Sequence, residues 1–209
     1  MENKLAELNS IHYLVDKGAD EEKIKKKLQD TNYDLVSLKR GVASFKDKNN
    51  GSITVSIKGT DIRNPKDLMS DIKLGLGFGH LDKQFKNRKK QIKEIYKEFP
   101  DVDKYITGHS LGGSIATSAL ANSKSIRDNT TKAHLFNTGY TPSFHSELSK
   151  NLDKNDKKEL KNKIIQHHTI GDFISGGLGK NPIGSLKRYK ISSINPITKH
   201  SLSSLKEEL

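Results

Sequence analysis

One eight-residue stretch limits what this chain can become: Thr107-Gly108-His109-Ser110-Leu111-Gly112-Gly113-Ser114. It contains G-x-S-x-G, the signature of a serine on a sharp turn between a strand and a helix. Gly108 and Gly112 carry no Cβ, so the backbone turns tightly there and lifts the Ser110 hydroxyl clear of a sheet. A bare G-x-S-x-G arises readily by chance, but His109, Leu111 and Gly113 beside it make coincidence remote. The flanks agree: a strand-like segment with Tyr105 and Ile106 precedes the turn, and a helix-forming run from Ser114 to Asn122 follows. Without chemical partners elsewhere, the same stretch would be a glycine-rich loop before an ordinary helix.

The remaining chain supplies more strands and helices. Leu5, Leu8, Ile11, His12 and Val15 recur at three- and four-residue spacing, which predicts a helix closed by Gly18. Asp20 opens a second helix with Ile24 and Leu28 on its buried side; the lysines around them suit a solvated face. Gly41 to Phe45 and Ser52 to Ile57 predict two strands joined through Asn50-Gly51. A helix marked by Pro65 and holding Leu68, Met69 and Ile72 is expected next, then the flexible Gly75 to Gly79, then a long basic helix from His80 to Phe99. Pro100 stops that helix.

Beyond Ser110, strands are expected at Lys132 to Asn137, Ile164 to Ile170 and Arg188 to Ile194, with a charged helix or loop over residues 144 to 163. Strands alternating with helices imply an α/β fold, a mainly parallel central sheet with helices on both faces. There is no internal repeat and no linker. One domain over residues 1–209 is expected, with helices of residues 1–40 packed on the sheet of a core spanning 41–209.

Composition narrows the function. Without cysteine, the chain forms no disulfide, thiolate nucleophile or Cys-based zinc site. No apolar run reaches bilayer length, and the N-terminus mixes acids among its apolar residues where a signal peptide needs a continuous apolar core. A soluble protein is expected, cytoplasmic or released by a non-classical route. The net charge of +12 and a pI of about 9.6 favour anionic partners, such as an anionic membrane or lipid surface or a nucleic acid. Few aromatics interleave the lysines, which argues against base stacking and so against nucleic acid.

A serine hydroxyl is a poor nucleophile at neutral pH; it needs a histidine to take its proton and an acid to orient that histidine. Enzymes with this turn carry the partners downstream, acid first and histidine second. Asp172 ends a strand-like segment, whereas Asp128, Asp153 and Asp156 lie in polar surroundings that need no explanation. His134, His145, His167, His168 and His200 all follow the serine; His134, His167 and His168 fall within strands, whereas His200 follows every expected strand, on a loop before a terminal helix from which a base can reach Ser110. A developing oxyanion needs backbone N–H donors, each contributing about 3 to 4 kcal/mol. Leu111, directly after the serine, supplies one. Gly59-Thr60, after the strand ending at Ile57, is placed to supply a second, although alone it would be a strand-to-helix turn with Thr60 as cap. This chemistry calls for no cofactor and no metal, and neither is expected.

Four segments together resemble the class 3 lipase family, α/β-hydrolases related to fungal triacylglycerol lipases. They are Val55 to Thr60 with Asp67 to Asp71; Ile106 to Gly113; Ile170 to Asp172; and Lys199 to Leu202. The resemblance covers roughly residues 40 to 205 and implies an α/β-hydrolase fold. It also implies Ser110 as nucleophile, Asp172 as acid, His200 as base, and Thr60 with Leu111 as oxyanion donors. Departures are visible. Lys58 stands where an arginine is usual, Phe136-Asn137-Thr138-Gly139 replaces Phe-Gly-x-Pro, and no long apolar lid is present. The expected activity is hydrolysis of lipid acyl esters, lipase or phospholipase A1-type. The competing expectation is a non-catalytic basic protein binding lipid or nucleic acid on the same scaffold.

Overall fold

The computed structural model describes residues 1–14, 19–39, 41–59, 80–139, 141–172, 183–193 and 195–209. Val15, Gly18, the helix expected around Leu68, the Gly75 to Gly79 segment and the loop through Pro182 lie outside the described residues. Among the described residues, seven strands form one sheet in chain order: β1 (Tyr33–Lys39), β2 (Val42–Asp47), β3 (Ile53–Ile57), β4 (Lys104–His109), β5 (Lys132–Phe136), β6 (Ile164–Thr169) and β7 (Ser185–Tyr189). β1, β2 and β3 pair antiparallel; β3 through β7 pair parallel. Parallel neighbours need crossover connections, and the described residues between β3 and β6 supply helices to them.

All five residues of β3 are buried. Its alternation of Ile53, Val55 and Ile57 with Thr54 and Ser56 therefore marks two covered faces, not a core face and a wet one. Helices α3 (His80–Glu98) and α4 (Leu111–Ala121) cover the first face. There Ile92, Ile95 and Tyr96 join Val55, Ile57, Ile106, Ile115 and Leu120 in the largest apolar cluster. Helices α1 (Glu2–His12) and α2 (Glu21–Leu28) cover the other face, packing Leu5, Leu8, Ile11, Ile24 and Leu28 on Ala43 and Phe45. The short C-terminal helices α8 (Pro196–His200) and α9 (Leu202–Lys206) close that side, with Leu202 and Leu205 against Ala6 and Phe136. Asp20 caps α2 as expected, its carboxylate accepting from the Lys23 N–H at 2.9 Å.

Two local expectations need correction and a third is sharpened. Residues 33–39, expected among N-terminal helices, form the edge strand β1. The 144 to 163 region is two helices, α6 (Pro142–Lys150) and α7 (Lys154–Lys163), which follow a small α5 (Lys124–Asp128). Separate caps explain the division, because Thr141 accepts from the Phe144 N–H and Asp153 from the Asp156 N–H. The last strand lies at Ser185–Tyr189, earlier than Arg188 to Ile194. Gly184, at φ +101°, packs its bare Cα against the Ile164 side chain and starts the pairing with β6 there. Among the described residues, no helix is long and apolar enough to cross a membrane.

Candidate active site

Ser110 sits between β4 and α4 with φ +56° and ψ −126°, a conformation that costs a non-glycine residue roughly 1 to 3 kcal/mol. The surroundings enforce it. A Cβ on Gly108 would lie 2.8 Å from the Gly112 carbonyl, and one on Gly112 would strike the carbonyl of Ile57. The turn is thus packed backbone against backbone, which requires glycine at both positions. The Ser110 N–H donates to the Phe136 carbonyl at 3.0 Å, while its own carbonyl accepts from Gly113 and Gly139 N–H at 3.0 and 3.2 Å. These bonds hold the turn against β5 and the start of α4.

The structure brings Ser110, His200 and Asp172 together from three distant segments. His200 Nε2 lies 3.0 Å from Ser110 Oγ, and His200 Nδ1 lies 2.9 Å from Asp172 Oδ2. All three are at most 1% exposed, so their interactions run in a water-poor medium. The carboxylate accepts only, so Nδ1 carries the hydrogen and the Nε2 lone pair faces the serine hydroxyl. Gly171, at φ +81°, turns the chain after β6, and the Asp172 N–H returns to the Thr169 carbonyl at 3.1 Å. His200 does not sit on a loop; it ends the short helix α8, opened by Pro196. Pro fits a first helical position because its missing N–H has no partner there to lose.

Of the two expected oxyanion donors, Thr60 lies outside the described residues. Leu111 opens α4, and its N–H is one of those that intrahelical bonds never reach. Gly59, next to Thr60, passes close to this point: a Cβ there would come within 3.2 Å of Leu111 N and 2.6 Å of the His109 carbonyl. Near the usual arginine position, Arg88 Nη1 of α3 donates to the Lys58 carbonyl at 2.5 Å and ties α3 to the end of β3.

Three residues around His200 carry contacts that sequence reasoning missed. His109 Nε2 and Asn137 Nδ2 donate to the His200 carbonyl at 2.8 and 3.1 Å, and Tyr13 bonds His109 Nδ1 at 3.1 Å. The one signal in the chain was Asn137 itself, at φ +42° where the family pattern carries glycine. Burial, reinforced by the neighbouring His200, pushes His109 down to about 3, so its ring is neutral.

His134 and His167 bond to neighbouring side chains away from Ser110. His134 Nδ1 and His167 Nε2 are 3.0 Å apart, and Tyr189 bonds His167 Nδ1 at 2.8 Å. Burial pushes His134 down to about 4 and His167 to about 3. Glu2, His134 and His167 bring ligand atoms within 4.8 Å of one another, the arrangement nearest to a metal site among the described residues. Glu2 is already paired with Lys187 at 2.5 Å and the imidazoles with each other, in a neighbourhood made positive by Lys132 and Lys187.

A mainly parallel seven-stranded sheet, helices on both faces and a serine at the strand–helix turn make this an α/β-hydrolase fold. Residues 40–175 match the family model described as lipase (class 3), and the chain belongs to that family. Solved structures similar to it include a lipase from Rhizopus microsporus var. chinensis, 13% identical over 83% of this chain and 66% of that one, with a TM-score of 0.47. A predicted CIB-like hydrolase from Thermoplasma acidophilum is 14% identical over 84% of this chain and 93% of that one, TM-score 0.46. The Rhizomucor miehei lipase in its propeptide complex is 14% identical over 92% and 67%, TM-score 0.48. The chain thus spans just under two thirds of the Rhizopus lipase. No curated protein matches it significantly.

Proposed function

We propose that this protein is a serine ester hydrolase acting on lipid acyl esters. The hydrogen-bond chain from Asp172 through His200 to Ser110 carries the proposal, because it supplies acid, base and nucleophile in one buried line. Ser110 Oγ attacks the ester carbonyl carbon as its proton passes to His200 Nε2, and Asp172 stabilises the imidazolium formed. The oxyanion is met by the Leu111 N–H and, by family resemblance, by the N–H of Thr60. Collapse breaks the bond to the alcohol, which leaves with the proton from His200, and the acyl group stays on Ser110. Water then gives a proton to His200 and attacks the acyl carbon. The second collapse returns that proton to Ser110 and releases the carboxylic acid.

The lipid character of the substrate rests on family membership. The charge of +12 favours an anionic lipid surface, so phospholipase A1-type cleavage stands beside triacylglycerol hydrolysis. Initial rates on p-nitrophenyl esters of several chain lengths test the chemistry. Ser110→Ala is expected to lower kcat by about a millionfold. Hydrolysis surviving that substitution would remove the mechanism.

A further inference from the structure

The carbonyl of His200 accepts from two side chains at once, His109 Nε2 at 2.8 Å and Asn137 Nδ2 at 3.1 Å. The same Asn137 nitrogen lies 3.1 Å from the Lys199 carbonyl and 3.3 Å from Thr169 Oγ1, so its two hydrogens are shared between consecutive carbonyls of α8 and that hydroxyl. Its Oδ1 accepts from the Thr169 N–H at 2.8 Å, which fixes the end of the amide that faces His200. Asn137 is fully buried at φ +42°, a conformation asparagine tolerates better than most residues.

The second donor is oriented in turn. A carbonyl only accepts, so His109 Nε2 carries the hydrogen and Nδ1, on a neutral ring, carries the lone pair. The Tyr13 hydroxyl therefore donates into Nδ1, and its oxygen accepts the Gly59 N–H at 3.0 Å. One directed chain thus runs from the loop after β3, beside Leu111 N, to the backbone of the candidate base. It leaves both ring nitrogens of His200 for Asp172 and Ser110. A five-residue helix such as α8 has little stability of its own, so outside contacts must fix where its last residue points.

We propose that Asn137, His109 and Tyr13 are positioning residues that hold His200 by its backbone carbonyl and couple it to the loop beside Leu111. This rests on the serine hydrolase reading above. A misplacement of about 1 Å at a reacting group costs on the order of a hundredfold in rate, which is the margin such a clamp protects.

Asn137→Gly takes positive φ without strain, and it removes the donors to α8 together with the Oδ1 that accepts from the Thr169 N–H. Asn137→Asp keeps an acceptor for the Thr169 N–H, and Tyr13→Phe removes a single hydroxyl. With p-nitrophenyl butyrate, Asn137→Gly and Tyr13→Phe should each lower kcat about ten- to a hundredfold while KM stays within about twofold. The 15N NMR spectrum should show His109 as the Nε2–H tautomer in the parent protein and as a tautomer mixture in Tyr13→Phe.

Values of kcat within about twofold of the parent in both variants would overturn the proposal. So would rate losses that only follow the folded fraction in thermal melts, or a His109 Nδ1–H tautomer in the parent. If the parent neither hydrolyses the ester nor reacts with a fluorophosphonate, the hydrolase reading fails, while the His109 tautomer in that same protein still decides the contact chain.

Discussion

On the face covered by α3 and α4, β3 presents Ile53, Val55 and Ile57 to Ile92, Ile95 and Ile115, whereas on the face covered by α1 it presents Thr54 and Ser56. The first contact is apolar burial, worth about 1.5 to 3 kcal/mol per side chain and indifferent to direction. The second is directional. Asn9 Nδ2 donates to Ser56 Oγ at 3.0 Å, Ser56 meets His12 Nδ1 at 3.1 Å, and Thr107 Oγ1 donates to the Leu5 carbonyl at 3.2 Å. Each such bond contributes only about 1 kcal/mol net, but it fixes where its partners sit. Tyr13 and His109, which orient the candidate base, lie on this polar side. At β3, undirected apolar burial holds one face, while directed bonds add position to the stability of the other.

Acid should break the polar face most. Burial holds His12, His109 and His167 down to about 3 and His134 to about 4, all on the α1 side of the sheet. The unfolded chain takes up these protons near its ordinary value of about 6.5, so it binds more protons than the folded chain between there and pH 4. Stability from these groups is complete above that value and is lost as pH falls. Urea titrations at pH 7 and 5.5 should differ by on the order of 5 kcal/mol in unfolding free energy. Equal stability at the two pH values would mean the imidazoles are hydrated.

Ile92→Ala probes the opposite face. It should cost about 2 to 5 kcal/mol in urea titrations while turnover per folded molecule stays that of the parent. The smallest stability change is expected for Asn9→Ala, about 1 to 3 kcal/mol, yet here turnover should fall as α1 loosens under Tyr13. A pattern with turnover falling in Ile92→Ala and not in Asn9→Ala would invert the comparison.

The elbow was legible because every feature it needs lies within eight neighbouring residues, and the downstream order of acid then histidine comes with the fold that carries such a turn. The α/β alternation was legible for the same local reason. Strand β1 was not, because it is an edge strand whose residues are mostly half-buried, and Tyr33-Asp34-Leu35-Val36-Ser37 shows no clean alternation. The β-branched Ile191 and Ile194 point to a last strand over Arg188 to Ile194, whereas pairing with β6 selects Ser185 to Tyr189, placing Tyr189 on His167. Asn137 was seen only as a departure from Phe-Gly-x-Pro. Its partners, the carbonyls of residues 199 and 200, lie far along the chain, and no local pattern reveals them. Thr60 was inferred from a local pattern and lies outside the described residues.

Labelling the full chain with a fluorophosphonate and reading the intact mass tests the central claim most directly. One adduct should form and map by peptide analysis to Ser110, with none in Ser110→Ala and a much slower rate in His200→Ala. An unlabelled parent protein, or an adduct on another residue, would contradict a nucleophile activated at the β4–α4 turn.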